Sequence, residues 1–143
     1  MKKIILSVLL VLSVFLSSQN AQAGENGRLF INLTTDDTWK VVMALNFALE
    51  SQKVGKKVTL FLNVRGVHIG IRKAKLPKDP YTGKRIQDIV KTFIAKGGKV
   101  YICKMCMKIA GYTEDLLVQG IKLGEPRLVF KEFYDTNTKV ITY

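Results

Sequence analysis

The order of segments in this chain predicts an α/β domain with a mostly parallel sheet of about five strands, and three observations carry that reading. Apolar, β-rich runs at residues 29–33 (LFINL), 58–64 (VTLFLNV), 100–103 (VYIC) and 139–143 (KVITY) alternate with stretches of helical character. Residues 58–64 are apolar almost without a break, as suits a strand covered on both faces. Between the second and third runs, Ile86, Ile89, Val90, Phe93 and Ile94 recur at i, i+3, i+4, i+7 and i+8, the clearest amphipathic pattern in the chain.

The elements follow in order. Lys2 and Lys3 precede an apolar run over residues 4–16 broken only by Ser7 and Ser13, and Ala21-Gln22-Ala23 places small residues at a cleavage spacing. This predicts a secretory leader over residues 1–23, a mature chain from Gly24, and export to an oxidising compartment such as a bacterial periplasm. The apolar run falls short of the roughly 20 residues that span a bilayer, so no stable membrane insertion is expected after cleavage. Residues 24–143 are then one domain, large enough to bury a core without staples.

After the first strand, Thr34, Thr35, Asp36, Asp37 and Thr38 offer side chains able to cap a helix over residues 39–52, and Gly55 suits its end. Apolar residues surround most of that helix, which predicts burial on more than one side. Residues 65–85 contain Gly66, Gly70, Pro77, Pro80, Gly83, many basic residues and one acid, Asp79, and read as a long surface loop serving as a lid or partner contact. Gly97 and Gly98 end the amphipathic helix, and the third strand follows at once. Thr113, with Glu114 and Asp115 behind it, looks like the cap of a short helix interrupted by Gly120 and Gly124. Pro126 fits a first helical position, with Val129, Phe130, Phe133 and Tyr134 as the stripe of a last helix.

The net charge is +12, and +10 once Lys2 and Lys3 leave with the leader, so the surface attracts anions. No recognition helix, zinc finger or aromatic-basic RNA motif accompanies that charge, which argues against a nucleic-acid partner and for a solvated lysine-rich surface.

Chemistry concentrates at Cys103 and Cys106, the only cysteines, which end the third apolar run three residues apart. Where a helix starts at a strand end, such a pair shares one face of its first turn, close enough to act in sequence. The unpaired N–H groups there, with Lys104 and Lys108, predict a thiolate-favouring site. Two alternatives stand beside this one. A structural disulfide would contribute only about 2 kcal/mol for so small a loop. A closed zinc site wants four N or S ligands, and beside the two cysteines the chain has a single histidine, His68. His68, between Val67 and Ile69, reads as a packed imidazole; Met105, Met107 and Ile109 read as packing residues. No cofactor is expected, because the 34–38 loop lacks glycine and its two acids oppose a phosphate. A thioredoxin fold fits poorly, since its Cys-x-x-Cys follows an early strand and here the pair follows the third.

The run Leu29-Phe30-Ile31-Asn32-Leu33-Thr34-Thr35, the segment Val58-Thr59-Leu60-Phe61-Leu62 through Gly66-Val67-His68, and above all Ile102-Cys103-Lys104-Met105-Cys106 running to Ala110-Gly111 resemble the DsrE/DsrF-like family of small sulfur-relay proteins. Thr113-Glu114-Asp115-Leu116 to Gly120-Ile121 and Lys139-Val140-Ile141-Thr142-Tyr143 complete the likeness. It implies a three-layer α/β/α fold, assembly as a trimer or hexamer, and a cysteine after a central strand that accepts sulfur as a persulfide and hands it to a partner. Cys103 is the better match to that cysteine, and Cys106 is an addition. The leader and the second cysteine depart from the cytoplasmic relay members and put their role in tRNA modification in doubt here.

Two functions follow. In one, the protein handles sulfur by persulfide transfer or thiol–disulfide exchange: Cys103 attacks a sulfane-sulfur or disulfide donor and Cys106 resolves the adduct by forming the short disulfide, with a sulfur-donor or acceptor protein as partner. In the other, the chain is a non-catalytic oligomeric module with a structural disulfide, whose basic 65–85 segment contacts an acidic partner or a neighbouring subunit.

Overall fold

The computed structural model describes residues 27–143, so the expected leader lies outside the described residues. Five strands form one sheet, β1 (Arg28–Leu33), β2 (Lys57–Leu62), β3 (Lys99–Ile102), β4 (Lys122–Leu123) and β5 (Thr138–Thr142), in the order β4-β3-β2-β1-β5. Every pairing is parallel. Four helices accompany them among the described residues, α1 (Thr38–Lys53), α2 (Ile86–Ala95), α3 (Lys104–Ile109) and α4 (Pro126–Phe133), with 3-10 segments at Val64–Gly70 and Glu114–Leu116.

Chain direction explains the layers. From β1 to β4 each strand is added on the same side, so right-handed crossovers carry α1 and α2 over one face. The step from β4 to β5 returns to the opposite edge, and the same handedness puts α4 on the other face. Strand alternation then sorts the side chains. Ile31, Leu33, Val58, Leu60, Leu62, Val100 and Ile102 belong to the main aliphatic core with α1 and α2, whereas Phe30, Phe61 and Tyr101 meet Val129 of α4.

The Asp37 carboxylate caps α1 by accepting the Lys40 N–H at 3.0 Å. This helix buries Val41, Val42, Ala44, Leu45 and Ala48, but Trp39, Met43 and Phe47 are exposed, so the expected burial on more than one side does not occur within one chain. α2 stops where Gly97 adopts φ +87, and Gly98 lies so close to the Phe93 ring that a Cβ there would come within 2.3 Å of it. The Gln52 amide donates to the Phe93 and Lys96 carbonyls, tying α1 to the open end of α2. α4, opened by Pro126, is held by Glu132, whose carboxylate pairs with Lys99 and lies 3.8 Å from Arg28; Arg28 also pairs with Asp135 at 3.1 Å.

Two expectations change. Residues 64–70 are not open loop but 3-10 turns with Val67 and Ile69 buried, because the segment tucks beneath the end of β1. The helix expected at Thr113 is one 3-10 turn, followed by the two-residue strand β4.

Candidate functional site

In an open parallel sheet, sites form beyond the carboxyl ends of the strands. Three segments meet there, residues 34–37 after β1, Val64–Gly70 after β2 and α3 after β3. Cys103 leaves β3 with its N–H donated to the Leu62 carbonyl at 2.8 Å, and it caps α3 through its sulfur, which accepts the Cys106 N–H at 3.3 Å. Both cysteines are free and half-buried. Each therefore sits where the sequence places it, at a helix start and on one turn.

The expected priming toward thiolate is reversed. Burial raises the Cys103 thiol above its usual range, and the neighbouring Cys106 thiol adds to the effect; the N–H groups of Cys106 and Met105 oppose it without prevailing. Cys103 thus rests as a thiol at neutral pH, and proton removal belongs to its reaction. The packing roles also divide. Met107 is buried and anchors α3, while Met105 and Ile109, 69% and 81% exposed, point away from the core.

Three features escaped the sequence reading. Arg65 donates through Nε and Nη2 to both oxygens of Asp36 at 2.8 and 2.9 Å, and this bidentate bond holds the Asp36 carboxyl below its ordinary range against its partial burial. Val64, next to Arg65, has φ +47, a left-handed conformation that β-branched residues avoid. The Asn63 amide donates to Asn32 at 2.5 Å, and Asn32 reaches the Thr142 hydroxyl at 3.4 Å, a polar row across β2, β1 and β5. Asparagine at the end of two otherwise apolar runs was the available signal for that row; nothing local marked the other two.

His68 is a packed imidazole as expected, with Nδ1 2.8 Å from the Tyr112 hydroxyl and the two rings edge to face. It braces the segment that follows α3, and Tyr112 in turn donates its N–H to the Met107 carbonyl. Among the described residues no three His, Cys, Asp or Glu side chains gather as a metal site would require, and no helix is long and apolar enough to cross a membrane. A cleft of about 810 Å³, lined by Leu29, Phe47, Ser51 and residues 136–139, opens at the amino end of β1 and β5, away from both thiols.

The architecture defines a parallel α/β protein with a thiol pair at the carboxyl edge of its sheet. Residues 28–136 match the DsrE/DsrF-like family model, and the chain belongs to that family. It is similar to the uncharacterized protein MJ0989 of Methanocaldococcus jannaschii, 34% identical over 81 residues that make up 57% of this chain and 68% of that protein. Among solved structures, it resembles MTH1491 from Methanobacterium thermoautotrophicum, a protein of unknown function (TM-score 0.67, 13% identity, 82% of this chain and all of that one). It also resembles the ychN protein from E. coli (TM-score 0.65, 21% identity, 82% and 99%). These likenesses confirm the three-layer fold.

Proposed function

We propose that the chain is an exported sulfur carrier that loads sulfur on Cys103 and uses Cys106 to clear it. The observation that carries this reading is Cys103 itself, half-buried at a strand end with its sulfur turned back to the N–H of the second cysteine. The deprotonated Cys103 sulfur attacks the outer sulfur of a persulfide donor, R–S–SH. The donor S–S bond breaks, R–S⁻ leaves and takes up a proton, and Cys103 becomes the persulfide. An acceptor thiolate then takes the outer sulfur and restores the Cys103 thiol. Alternatively Cys106 attacks the inner sulfur, forming the Cys103–Cys106 disulfide and expelling hydrosulfide, after which a dithiol reductant returns both thiols.

The family supports sulfur chemistry in general, and the exposed Met105 and Ile109 on the helix of the thiols suit a face that meets another protein. On the α4 face, exposed Phe130, Phe133 and Tyr134 suit contact between copies in a trimer or hexamer.

Reduced protein incubated with inorganic polysulfide and read by intact mass should gain one sulfur that maps to Cys103. Cys106→Ser should hold that sulfur longer, and Cys103→Ser should not gain it. Equal loading of the Cys103→Ser variant overturns the assignment. Export is tested by N-terminal sequencing from the periplasmic fraction, which should begin at Gly24. Light scattering of the purified protein should give three or six copies.

A further inference from the structure

Residues 72–85 join the Val64–Gly70 segment to α2, and their layout separates charge from structure. Arg72 is pinned at the entry, its N–H on the Leu116 carbonyl at 2.8 Å and its guanidinium on the Asp115 carbonyl. Ala74 and Leu76 turn inward and pack on the core, so Lys73 and Lys75 between and beside them turn outward. The buried Gln87 amide donates to the Ile71 and Ala74 carbonyls at 3.3 and 2.9 Å, and Arg85 donates to the Arg72 carbonyl at 3.3 Å.

The one acid, Asp79, is spent inside the segment. It is 1% exposed, covered by the turn it organises, and its carboxylate accepts the Tyr81 N–H at 2.9 Å and the Thr82 hydroxyl. Its backbone closes the same turn, donating to the Lys84 carbonyl at 2.9 Å and accepting from Gly83 at 2.8 Å. Tyr81 is left 91% exposed at the tip. Lys73, Lys75, Lys78 and Lys84 are all exposed, and among the described residues none has its ammonium in an ion pair, although the Lys84 charge helps hold the Asp79 carboxyl low.

We propose that this segment is a preformed docking surface for an acidic protein, with Tyr81 as its anchor and the four lysines as its charge. A loop already held by its own hydrogen bonds loses little entropy when a partner arrives, and unpaired lysines steer an oppositely charged surface. An exposed aromatic amid charge is the composition of an interface anchor. Single-stranded nucleic acid calls for successive stacking platforms, and only one aromatic stands here. An anionic bilayer calls for several apolar side chains facing outward, whereas Leu76 faces in. The surface leaves the same carboxyl edge of the sheet as the thiols. On the sulfur-carrier reading, the docked protein is therefore the donor or acceptor, although the docking itself does not depend on that reading.

The test measures affinity for labelled poly-L-glutamate by fluorescence anisotropy across a salt series, with polyuridylate RNA and phosphatidylserine vesicles as parallel probes. Replacing Lys73, Lys75, Lys78 and Lys84 together by Glu should weaken polyglutamate binding by tenfold or more. A control with Lys40, Lys96, Lys122 and Lys131 replaced by Glu, which changes net charge equally, should weaken it by less than about threefold. Tyr81→Ala should cost about threefold without changing the salt dependence. The four Lys→Gln changes guard against misfolding of the Glu variant and should show an intermediate loss. Binding must persist in the double Cys103→Ser, Cys106→Ser variant, which separates this surface from the thiol chemistry. Equal losses in the loop and control variants overturn the proposal, as does loop-dependent binding of RNA or vesicles tighter than that of polyglutamate.

Discussion

Replacing Val64 by glycine should stabilise this protein, although the change deletes a side chain. Val64 has φ +47, where an L residue pays about 1–2 kcal/mol and a β-branched one sits at the upper end. Against that gain stand two losses. The side chain is 59% exposed, so of the about 1.5 kcal/mol that full burial of a valine is worth, about 0.6 kcal/mol is lost. Glycine in the unfolded chain costs about 0.7 kcal/mol more entropy. The balance is a gain of about 0.7 kcal/mol, or about 3 °C in melting temperature for a domain of this size. Urea unfolding of reduced protein followed by far-UV circular dichroism resolves such a difference, provided the m-value is unchanged. A count of lost contacts and added chain entropy alone gives the opposite sign, a loss of about 1.3 kcal/mol. A Val64→Gly protein less stable than the wild type therefore refutes the claim that the backbone beside Arg65 is strained.

The other predictions rest on separate features. Gly66→Ala should cost about 3 kcal/mol in urea unfolding or prevent folding, since a Cβ there would come within 2.1 Å of the Leu33 carbonyl oxygen; a near-neutral result would mean that the segment does not pack beneath β1. Alkylation of Cys103 by iodoacetamide should show a midpoint above the free-thiol value of about 8.5, and Cys106→Ala should lower that midpoint by removing the neighbouring thiol. Because the folded state holds the Cys103 proton more tightly, its contribution to stability is complete below the unfolded-state thiol pKa and is lost as pH rises through the folded value; Cys103→Ser should flatten the alkaline decline of a stability–pH curve. Asp79 has the opposite sign. The Thr82 hydroxyl and the Tyr81 and Thr82 N–H groups hold its carboxyl below the ordinary range, so its contribution is present above about pH 4 and lost as pH falls through the lowered value. Asp79→Asn should be less stable at neutral pH and show a shallower acid decline, and an unchanged acid limb would sink that reasoning.

What the sequence disclosed was local in origin. The β1, β2 and β3 runs, the α2 stripe, the proline opening α4 and the glycines after α2 each report their own conformation through periodicity or backbone freedom. The position of Cys103 at a strand end followed from the same evidence. Features set by distant residues stayed hidden. β4 is too short to carry a period, and the burial of Val67 and Ile69 depends on where β1 ends. The Asp36–Arg65 bond joins residues 29 apart with no pattern between them. Proton affinity at Cys103 departs from the sequence expectation because helix-end N–H groups and nearby lysines can be counted from a sequence, while the loss of water around a sulfur cannot.

The pairing of β1 with β5 bears on how the fold is reached. An interior strand near the start of the domain waits for a neighbour drawn from residues 138–142, and the Tyr143 carbonyl accepts both the N–H and the hydroxyl of Thr34 at 2.9 and 2.7 Å. The sheet cannot be finished before residues 138–142 are available, and closing so large a loop makes assembly slow compared with a helical bundle. The residues that close the sheet also fasten the turn ahead of Asp36, so the finished sheet and its thiol edge arrive together, once β5 docks on β1.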